Sequence, residues 1–355
     1  MRSLVGDRPR TRTHDWVPFL HQIYRGRRSV ASALSFTVSV GKKLSSLREH
    51  YDLVELNMSP MLHFSLLPLM RRVGATRGAR IIGMMHEVWQ EYWSDYAGLV
   101  AGKTGKMLER YSSENLDLVL TISEFNKRRL LRWRVEPAKV KVVRPGVDYE
   151  DIIAAPPSAV SSDLVYVGRL VPDHHLERLV MAVKTLREKY HTDVRTIITG
   201  GGPDIQRLKD MASELGLAER ITFSGIVEQR SVIYSLLKSS RIYVFPSSPH
   251  GGWNISCLEG NAAGLPIVCL ASTEIGTARE LVEEGVNGIT VPEPSPDRFA
   301  DAINSLLQNE SHLRTMSALS VKHAEKFSWP KVCEQTLLIY EELVGGRTQA
   351  RATPE

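Results

Sequence analysis

The sequence predicts an α/β protein of two domains, each with a parallel sheet that is doubly wound by helices. At 355 residues the chain exceeds the size of one ordinary hydrophobic core. From residue 52 onward, short apolar runs alternate with longer helical patterns, which is typical of parallel strands joined by helices. Glycine-rich segments follow several of these runs, and such sheets bind their ligands beyond the carboxyl ends of the strands.

The first half of the chain contains four predicted strands and three predicted helices. The strands are expected at residues 52–56, 79–85, 117–121 and 139–143. The helices are expected at residues 60–73, at residues 105–115 and from Ser123 onward. A Pro-Gly turn at 144–148, followed by a Pro- and Ser-containing segment, indicates a domain boundary. We therefore predict an N-terminal domain at residues 1–150 and a linker at residues 151–162.

The second half repeats the alternation more clearly. Six strands are expected, at residues 164–167, 194–199, 221–224, 242–245, 267–270 and 288–291. Helices are expected at residues 175–190, 204–215 and 230–239, with a short one that begins near Asn254. We predict a C-terminal domain at residues 163–330, a final helix at 331–345 and a disordered tail at 346–355.

The composition is ordinary for a globular protein, with 43% apolar and 24% charged residues. Cys257, Cys269 and Cys333 are widely spaced, so they form no metal-ligand motif, and their odd number argues against a disulfide framework. The sequence shows neither a signal-peptide pattern nor a run of about 18 apolar residues. We therefore expect a cytoplasmic location.

Positive charge is concentrated in the first half of the chain. Residues 1–150 carry 25 Lys and Arg against 15 Asp and Glu, whereas the remainder carries 20 against 25. The basic clusters lie at 25–28, 71–80 and 127–134. They are either solvated helix faces or a surface for an anionic partner. Because no nucleic-acid motif accompanies them, we expect a membrane surface or a phosphorylated acceptor rather than nucleic acid.

The segment 245–266 predicts a strand end, a glycine-rich loop and a short helix. Gly251 and Gly252 allow a ligand to approach the backbone closely. The amides that follow, of Trp253, Asn254 and Ile255, would face that ligand at a helix N-terminus, which suits a phosphate. One turn further along, Glu259 can accept two hydrogen bonds from a vicinal diol such as that of a ribose. The alternative is a βα turn that only packs.

Other strand ends add to this candidate phosphate site. Arg169 follows Gly168 at the end of one strand, and its forked guanidinium suits a pair of phosphates. Gly200, Gly202 and Pro203 follow the next strand, where they would let a nucleoside approach the backbone. By themselves these features also fit a surface arginine and a plain turn. Because all of them follow strands, we expect them to converge on one edge of the sheet.

At this point the chain resembles a known family. The motifs that carry the resemblance are VGRLVP at 167–172, GGGP at 200–203, FSG at 223–225, Tyr234, FPS at 245–247, LEGNAAGLPIV at 258–268, Glu280, GVNG at 285–288 and FSW at 327–329. They are similar to those of the family 4 retaining glycosyltransferases of GT-B fold. The resemblance covers residues 165–345 and is looser in the first half, through His86-Glu87, residues 121–124 and residues 145–148.

The resemblance implies two Rossmann-like domains that face a cleft, with a nucleotide-diphosphate sugar bound mainly by the second. It implies sugar transfer to an acceptor hydroxyl with retained configuration, and no obligatory metal or other cofactor. We expect a lipid-linked or glycan acceptor and a role in polysaccharide, glycolipid or glycoprotein synthesis, as a cytoplasmic or peripheral membrane enzyme at the inner face. Two alternatives stay open: a catalytically degenerate protein that binds nucleotide-sugar or a partner enzyme, and a nucleotide-sugar epimerase of the same fold.

The departures from the family pattern are as informative as the matches. The family has an acid eight positions before Glu259 that touches the donor sugar, but Gly251 stands there in this chain. The family tends to place a lysine five positions after Arg169, but here that residue is His174, whose binding of phosphate would depend on pH. Nothing in residues 1–19 resembles the first strand-helix-strand unit of the family, and the sequence joins the family pattern near residues 16–24. We therefore expect either a sequence that starts within the domain or a naturally shortened N-terminal domain.

His86 is the remaining candidate catalytic residue, together with Arg169. It ends a predicted strand, and the resemblance gives it a role beside the reacting sugar or acceptor. The alternative is a histidine that is merely hydrogen-bonded at a strand end. Tyr92, Trp93 and Tyr96 follow, and they form either an acceptor platform or part of the core.

Overall fold

The computed structural model describes residues 51–58, 76–247, 253–271 and 277–351, together with residues 38, 42, 45, 67 and 71. The predicted helix at 60–73, the basic cluster at 25–28 and the expected shortening of the N-terminal domain lie outside these residues, apart from single positions. The chain divides into two compact units. The first comprises residues 1–120, 129–141 and 343–355, and the second comprises residues 121–128 and 142–342.

A four-stranded sheet is formed by the strands of the first half, in the spatial order β1-β2-β3-β4. The strands are β1 (Leu53–Asn57), β2 (Arg80–Met85), β3 (Leu118–Thr121) and β4 (Val140–Val142). The helices of this half are α1 (Tyr92–Asn115), which is interrupted at Gly98, and α2 (Glu124–Arg132). The predicted strands are therefore confirmed to within two residues.

These strands and helices contribute buried apolar side chains to the core of the first unit. Ile81 and Met85 of β2 are buried beside Val119 of β3, and Leu130 of α2 packs against them. Val119 lies in a strand whose residues are all buried, which explains why it reads as a continuous apolar run. Trp93 is buried in the same cluster, so it belongs to the core rather than to an exposed acceptor platform.

The second unit contains a six-stranded sheet with the order β10-β9-β8-β5-β6-β7. Its strands are β5 (Ser162–Val167), β6 (Thr196–Thr199), β7 (Ile221–Gly225), β8 (Ser240–Phe245), β9 (Ile267–Leu270) and β10 (Gly288–Val291). Its helices are α3 (Tyr149–Ala154), α4 (Glu177–Tyr190), α5 (Ile205–Glu214), α6 (Arg230–Lys238), α7 (Ile255–Ala262), α8 (Ala278–Leu281), α9 (Pro296–Leu307), α10 (Glu310–Glu325) and α11 (Trp329–Arg351).

All neighbouring strands of this sheet are parallel. The chain starts at the central strand β5, moves outward through β6 and β7, and returns to the other side of β5 with β8. This order is that of the doubly wound Rossmann fold, whose ligands bind where the winding reverses. The expected doubly wound α/β fold is thus confirmed, and the reversal lies between the carboxyl ends of β5 and β8.

The boundary between the units differs from the predicted one. Residues 142–162 belong to the second unit, and the predicted linker at 151–162 includes the last four residues of helix α3. Ile152 of this helix is fully buried, and the Ser158 amide donates to the Ser235 carbonyl of α6 at 3.0 Å. The Pro and Ser residues of this segment had indicated a free linker, but its apolar side chains pack and its backbone is bonded.

Residues 121–128 also group with the second unit. The Glu280 carboxylate accepts hydrogen bonds from the amides of Glu124 and Phe125, at 2.8 and 2.7 Å. It thereby satisfies two of the first-turn amides of α2, which have no acceptor within their own helix. Arg144 donates to the same carboxylate at 3.3 Å. This contact explains why the first turn of α2 belongs to the second unit.

The carboxyl-terminal prediction also needs correction. Helix α11 extends to Arg351, beyond the predicted end at 345, so most of the expected disordered tail is helical. Gly345 and Gly346 lie within this helix, and the Arg, Gln and Ala residues that follow them favour helix. Among the described residues, no helix combines the length and the apolarity needed to span a bilayer.

Candidate functional site

The loops after β5, β6 and β7 are joined by backbone hydrogen bonds. The Gly168 amide donates to the Thr199 carbonyl at 3.0 Å, and the Gly200 amide donates to the Gly225 carbonyl at 2.8 Å. The Leu170 amide donates to the Gly201 carbonyl at 2.9 Å. The structure therefore brings Gly168, Arg169, Gly200, Gly202 and Pro203 to one edge of the six-stranded sheet, as the sequence predicts.

Two glycines of this edge are required by the approach of one loop to the other. Gly200 has φ +138°, and a Cβ there would lie 1.8 Å from the Gly168 carbonyl oxygen. Gly202 has φ +157°, and a Cβ there would lie 2.1 Å from the Leu170 carbonyl oxygen. From the sequence, these glycines are expected to let a nucleoside approach the backbone. On the side where a Cβ would project, the β5 loop occupies the space.

Arg169 lies next to these glycines with its side chain exposed. Its carbonyl oxygen accepts hydrogen bonds from the Tyr166 hydroxyl and from the His174 ring, which fixes the backbone of the loop. Within the part of the chain that the structure describes, its guanidinium has no hydrogen-bond or ion-pair partner. The fork of donors is therefore available for an anion at the point where the winding reverses.

His174 belongs to a short 3-10 helix, Pro172–His174, in the same loop. Its Nδ1 lies 2.9 Å from the Arg169 carbonyl oxygen and 2.7 Å from the Tyr166 hydroxyl. A proton on Nδ1 satisfies this arrangement, which leaves Nε2 as the ring nitrogen for a ligand. Desolvation lowers the pKa of His174 from 6.5. The ring is therefore neutral at pH 7.5, unlike the lysine that the family resemblance implies.

Replacing His174 with lysine is expected to strengthen binding of a nucleotide-sugar at pH 7.5 roughly tenfold, because it adds a permanent cation. Wild-type affinity should rise as the pH falls from 7.5 to 5.5, since the imidazole then gains a proton, whereas the affinity of the lysine variant should stay level. Isothermal titration calorimetry across this range is the measurement. His175→Lys, whose wild-type ring bonds Glu177 at 3.1 Å, is the matched control. A wild-type affinity that is independent of pH would exclude a phosphate contact of His174.

Helix α7 begins as predicted, and Asn254 is its N-cap. The Asn254 Oδ1 accepts from the Cys257 amide at 3.2 Å and from the Ser256 hydroxyl at 2.7 Å. Asn254 therefore caps the helix, and the amides of Ile255 and Ser256 remain without an acceptor in their own helix. Gly251 and Gly252 lie outside the described residues, so their predicted role stays a prediction.

The side chain of Trp253 packs into the protein. It is 9% exposed, its ring lies 6.0 Å from that of Phe327, and the Arg144 guanidinium lies 5.7 Å from its centre. Of the predicted donor-binding residues, Trp253 therefore contributes packing through its side chain, and only its backbone can face a ligand. The aromatic partner Phe327 is about 75 residues away in the sequence, so no local pattern indicated this contact.

Glu259 is buried on α7 and already has a strong partner. The Arg230 guanidinium donates to its Oε1 at 2.6 Å. Arg230 also donates to the Tyr234 hydroxyl at 3.2 Å, and this hydroxyl donates to the Asp148 carboxylate at 2.9 Å. Burial raises the pKa of Glu259 above 4.5, while the charge of Arg230 opposes this shift. The predicted ribose ligand is thus one end of a network of four polar side chains.

Sequence reasoning missed Arg230 and the role of Asp148. Arg230 begins helix α6 without any local motif, and it meets Glu259 across 29 residues of sequence. Asp148 was assigned to a turn, and its contact with Tyr234 spans 86 residues. Tyr234 matches a position of the family pattern, and this match was the one available signal for the network.

His86 lies in the first unit, directly after β2, as predicted. Desolvation lowers the pKa of its ring from 6.5, against the opposing charges of Glu87 and Glu55. The loop after His86 is held by a fully buried carboxylate, that of Glu109 on α1. Its oxygens accept hydrogen bonds from the Trp89 amide at 2.8 Å, the Gln90 amide at 3.0 Å and the Trp93 indole at 3.1 Å.

Glu109 is therefore a positioning residue for the His86 loop, and sequence reasoning missed it because its charged neighbours suggest an exposed face. Glu109→Gln is expected to lower the free energy of unfolding by about 1–3 kcal/mol, since an amide NH₂ must then face a buried N–H donor. Urea denaturation measures this change. Glu114→Gln, on the exposed face of the same helix, should change the stability by less than about 0.5 kcal/mol. Equal effects of the two substitutions would contradict the assignment.

Some arginines of the predicted basic clusters form ion pairs or hydrogen bonds with other residues of the chain. Arg71 and Arg80 lie 3.4 and 3.5 Å from the carboxylate of Asp117. Arg129 donates to the Trp89 carbonyl at 2.7 Å. These arginines therefore help to hold the first unit together, and the case for an anionic surface rests on other residues. Among the described residues, no group of three or more His, Cys, Asp or Glu side chains is arranged to hold a metal ion.

The strand order and the anion-suited edge define a doubly wound α/β protein of Rossmann type. Two family models match the chain: Glycosyltransferase Family 4 at residues 4–151, and Glycosyl transferases group 1 at residues 155–322. The chain belongs to the group 1, family 4 glycosyltransferases, and its two Rossmann-like domains have the GT-B fold.

Relatives of known sequence agree with this membership. The chain is 28% identical over 224 residues to a D-inositol 3-phosphate glycosyltransferase of Corynebacterium urealyticum, a match that covers 58% of this chain and 52% of the relative. It is 29% identical over 248 residues to an uncharacterised glycosyltransferase of Methanocaldococcus jannaschii, covering 67% and 62% of the two chains. The matched part spans about half the length of the first of these relatives.

Solved structures show the same fold at low sequence identity. Anabaena HepE in complex with UDP has a TM-score of 0.69 at 17% identity, with 86% of this chain and 82% of that chain covered. The sucrose-phosphate synthase of Thermosynechococcus elongatus has a TM-score of 0.72 at 18% identity, with 89% and 79% covered.

Proposed function

We propose that this protein transfers a sugar from a nucleotide-diphosphate sugar to an acceptor hydroxyl with retention of configuration. One observation carries the proposal. The Arg169 guanidinium is exposed, has no partner among the described residues, and lies where the winding of the Rossmann-type sheet reverses. A diphosphate is the ligand that such a fork of donors suits. Family membership and a fold neighbour that was solved with UDP support the same donor class.

The donor would lie across the carboxyl ends of β5 and β8. Arg169 binds the diphosphate, the first-turn amides of α7 add neutral donors, and Glu259 accepts the ribose hydroxyls. His174 binds phosphate when it is protonated. Gly200, Gly202 and Pro203 form the wall beside the nucleoside. Gly251 offers no carboxylate to the sugar, so other groups recognise the sugar.

In the reaction the bond between the anomeric carbon and the phosphate oxygen breaks, and the acceptor hydroxyl forms a new bond on the same face. The proton of that hydroxyl goes to the departing phosphate oxygen. Arg169 and the helix amides stabilise the charge that develops on the diphosphate. His86 contacts the sugar or the acceptor. No residue that we assign to the donor loop is a carboxylate nucleophile, which favours this front-face route.

The wider role follows from the same chemistry. We propose a lipid-linked or glycan acceptor, no metal or other cofactor, and no nucleic-acid partner. The proposed location is the cytoplasm, with peripheral contact to the inner face of the membrane. The products are cell-surface polysaccharide, glycolipid or glycoprotein glycan.

Incubation with a panel of nucleotide-sugars tests the proposal. Transfer, or slow hydrolysis without acceptor, releases nucleoside diphosphate, which a coupled assay detects. A catalytically degenerate binder releases none although calorimetry shows binding, and an epimerase returns an altered sugar on the intact nucleotide. Nuclear magnetic resonance of the product then gives the anomeric configuration, and an inverted product would contradict retention.

A further inference from the structure

After its interruption at Gly98, helix α1 has the reverse of the usual burial pattern. A surface helix normally packs apolar residues inward and exposes polar ones. In residues 99–115 the inward positions instead carry Gly102, Gly105, Glu109, Ser112 and Ser113. A Cβ on Gly105 would lie 2.4 Å from the Trp93 ring. The helix thus packs closely through small and polar groups, and its apolar residues are left for the other face.

The outer face carries five large apolar side chains. Leu99 is 75% exposed, Val100 is 84% exposed and Met107 is 63% exposed. Leu108 and Tyr111 are also exposed. Val100, Met107 and Tyr111 are spaced by seven and four residues, so they form one continuous stripe along the helix. Contiguous exposed apolar side chains of this kind mark an interaction surface.

Cations flank the stripe. Lys103, Lys106 and Arg110 project from one side of it, and residues 99–111, which are all described, expose no carboxylate. Lys106 pairs with Glu91 and Arg110 pairs with Glu114, while Lys103 has no ion-pair partner within the described residues. An apolar stripe with cations along its edge matches an anionic lipid surface, where apolar groups enter the acyl boundary and cations meet headgroups.

We propose that the outer face of α1, residues 99–111, docks this protein onto an anionic membrane surface. The membrane contact of the proposed function, on which this inference rests, is thereby assigned to one surface of the first unit. At 1.5 Å per residue the stripe is about 20 Å long, which suits a helix lying in the plane of the interface. A second copy of the chain fits less well, because a two-fold contact would place Lys103 against an identical face whose residues 99–111 expose no carboxylate.

Flotation of the full chain with vesicles tests the proposal. Vesicles of phosphatidylglycerol and phosphatidylcholine in equal parts should bind the protein, with binding that weakens at high salt. Pure phosphatidylcholine should bind it far less. Val100→Ser combined with Met107→Ser should lower the partition coefficient at least about tenfold, and Lys103→Glu at least about fivefold. Val160→Ser, at a similarly exposed residue of the second unit, should change nothing.

Other outcomes would overturn it. Unchanged vesicle binding of the double variant, or no binding by the wild-type chain, excludes this surface as a membrane contact. A wild-type dimer that the double variant dissociates without lipid identifies a second copy as the occupant. A lowered melting temperature with no effect on vesicles identifies another segment of the same chain. Nucleotide release is measured in parallel without vesicles, so a failed membrane contact is distinguished from a failed transferase.

Discussion

Arg169→Ala should reduce nucleotide release from the nucleotide-sugar by about 100- to 1,000-fold, which is the usual effect of removing a donor that stabilises developing charge. The guanidinium contacts no partner among the described residues, so its loss should leave the stability within about 0.5 kcal/mol of wild type. A coupled assay for nucleoside diphosphate and a thermal melt measure the two effects. The separation of activity from stability is the specific expectation.

Two further variants sharpen this test. Arg169→Lys keeps the charge but loses the fork, and it should recover only part of the activity. Arg314→Ala removes a guanidinium that is 78% exposed and bonded to Glu310 of its own helix, and it should leave the activity unchanged. If Arg169→Ala retained full turnover, the assignment of the diphosphate to this strand end would be wrong.

Of the substitutions proposed, Gly200→Ala should lower the free energy of unfolding most. The new Cβ would lie 1.8 Å from the Gly168 carbonyl oxygen, and this atom belongs to backbone that cannot swing aside. The φ of +138° adds strain for any residue with a Cβ. We expect a loss of about 3–5 kcal/mol in the free energy of unfolding of the second unit, measured by urea denaturation. Nucleotide-sugar binding should weaken as well, because the β5 loop carries Arg169.

Gly285→Ala is the matched control for this clash. Gly285 also has a left-handed backbone, with φ +74°, but a Cβ there would meet nothing within 4 Å. Its substitution should cost only the backbone strain of about 1–2 kcal/mol. The difference between the two variants therefore isolates the contact between the β5 and β6 loops. Equal losses would show that the loops can separate without penalty.

Most of the sheet could be predicted because buried parallel strands have a local signature. β9 (Ile267–Leu270) and β10 (Gly288–Val291) were predicted to the residue, since each is a short apolar run between breakers. The convergence of Gly168 and Gly200 could also be predicted, because both follow parallel strands. Helix starts were less certain, and α1 begins thirteen residues before its predicted start at 105.

The remaining features depend on contacts between distant residues. Nothing near Arg230 indicates that it reaches Glu259, and nothing near Glu109 indicates that it is buried under three N–H donors. The burial of Trp253 likewise depends on Phe327 and Arg144. Such pairings are decided by tertiary packing, which leaves no periodic signal in a single sequence.

In the Arg230–Glu259 pair, the guanidinium balances the negative charge of the buried carboxylate. The guanidinium bonds Oε1 of Glu259 at 2.6 Å, so a ribose would bond the other carboxylate oxygen or displace the guanidinium from the first. A ribose can do so with two hydroxyls at once, whereas a deoxyribose brings one fewer. If Glu259 receives the ribose, as we propose, the resting ion pair acts as a filter that admits ribonucleotides in preference to deoxyribonucleotides before any sugar is transferred.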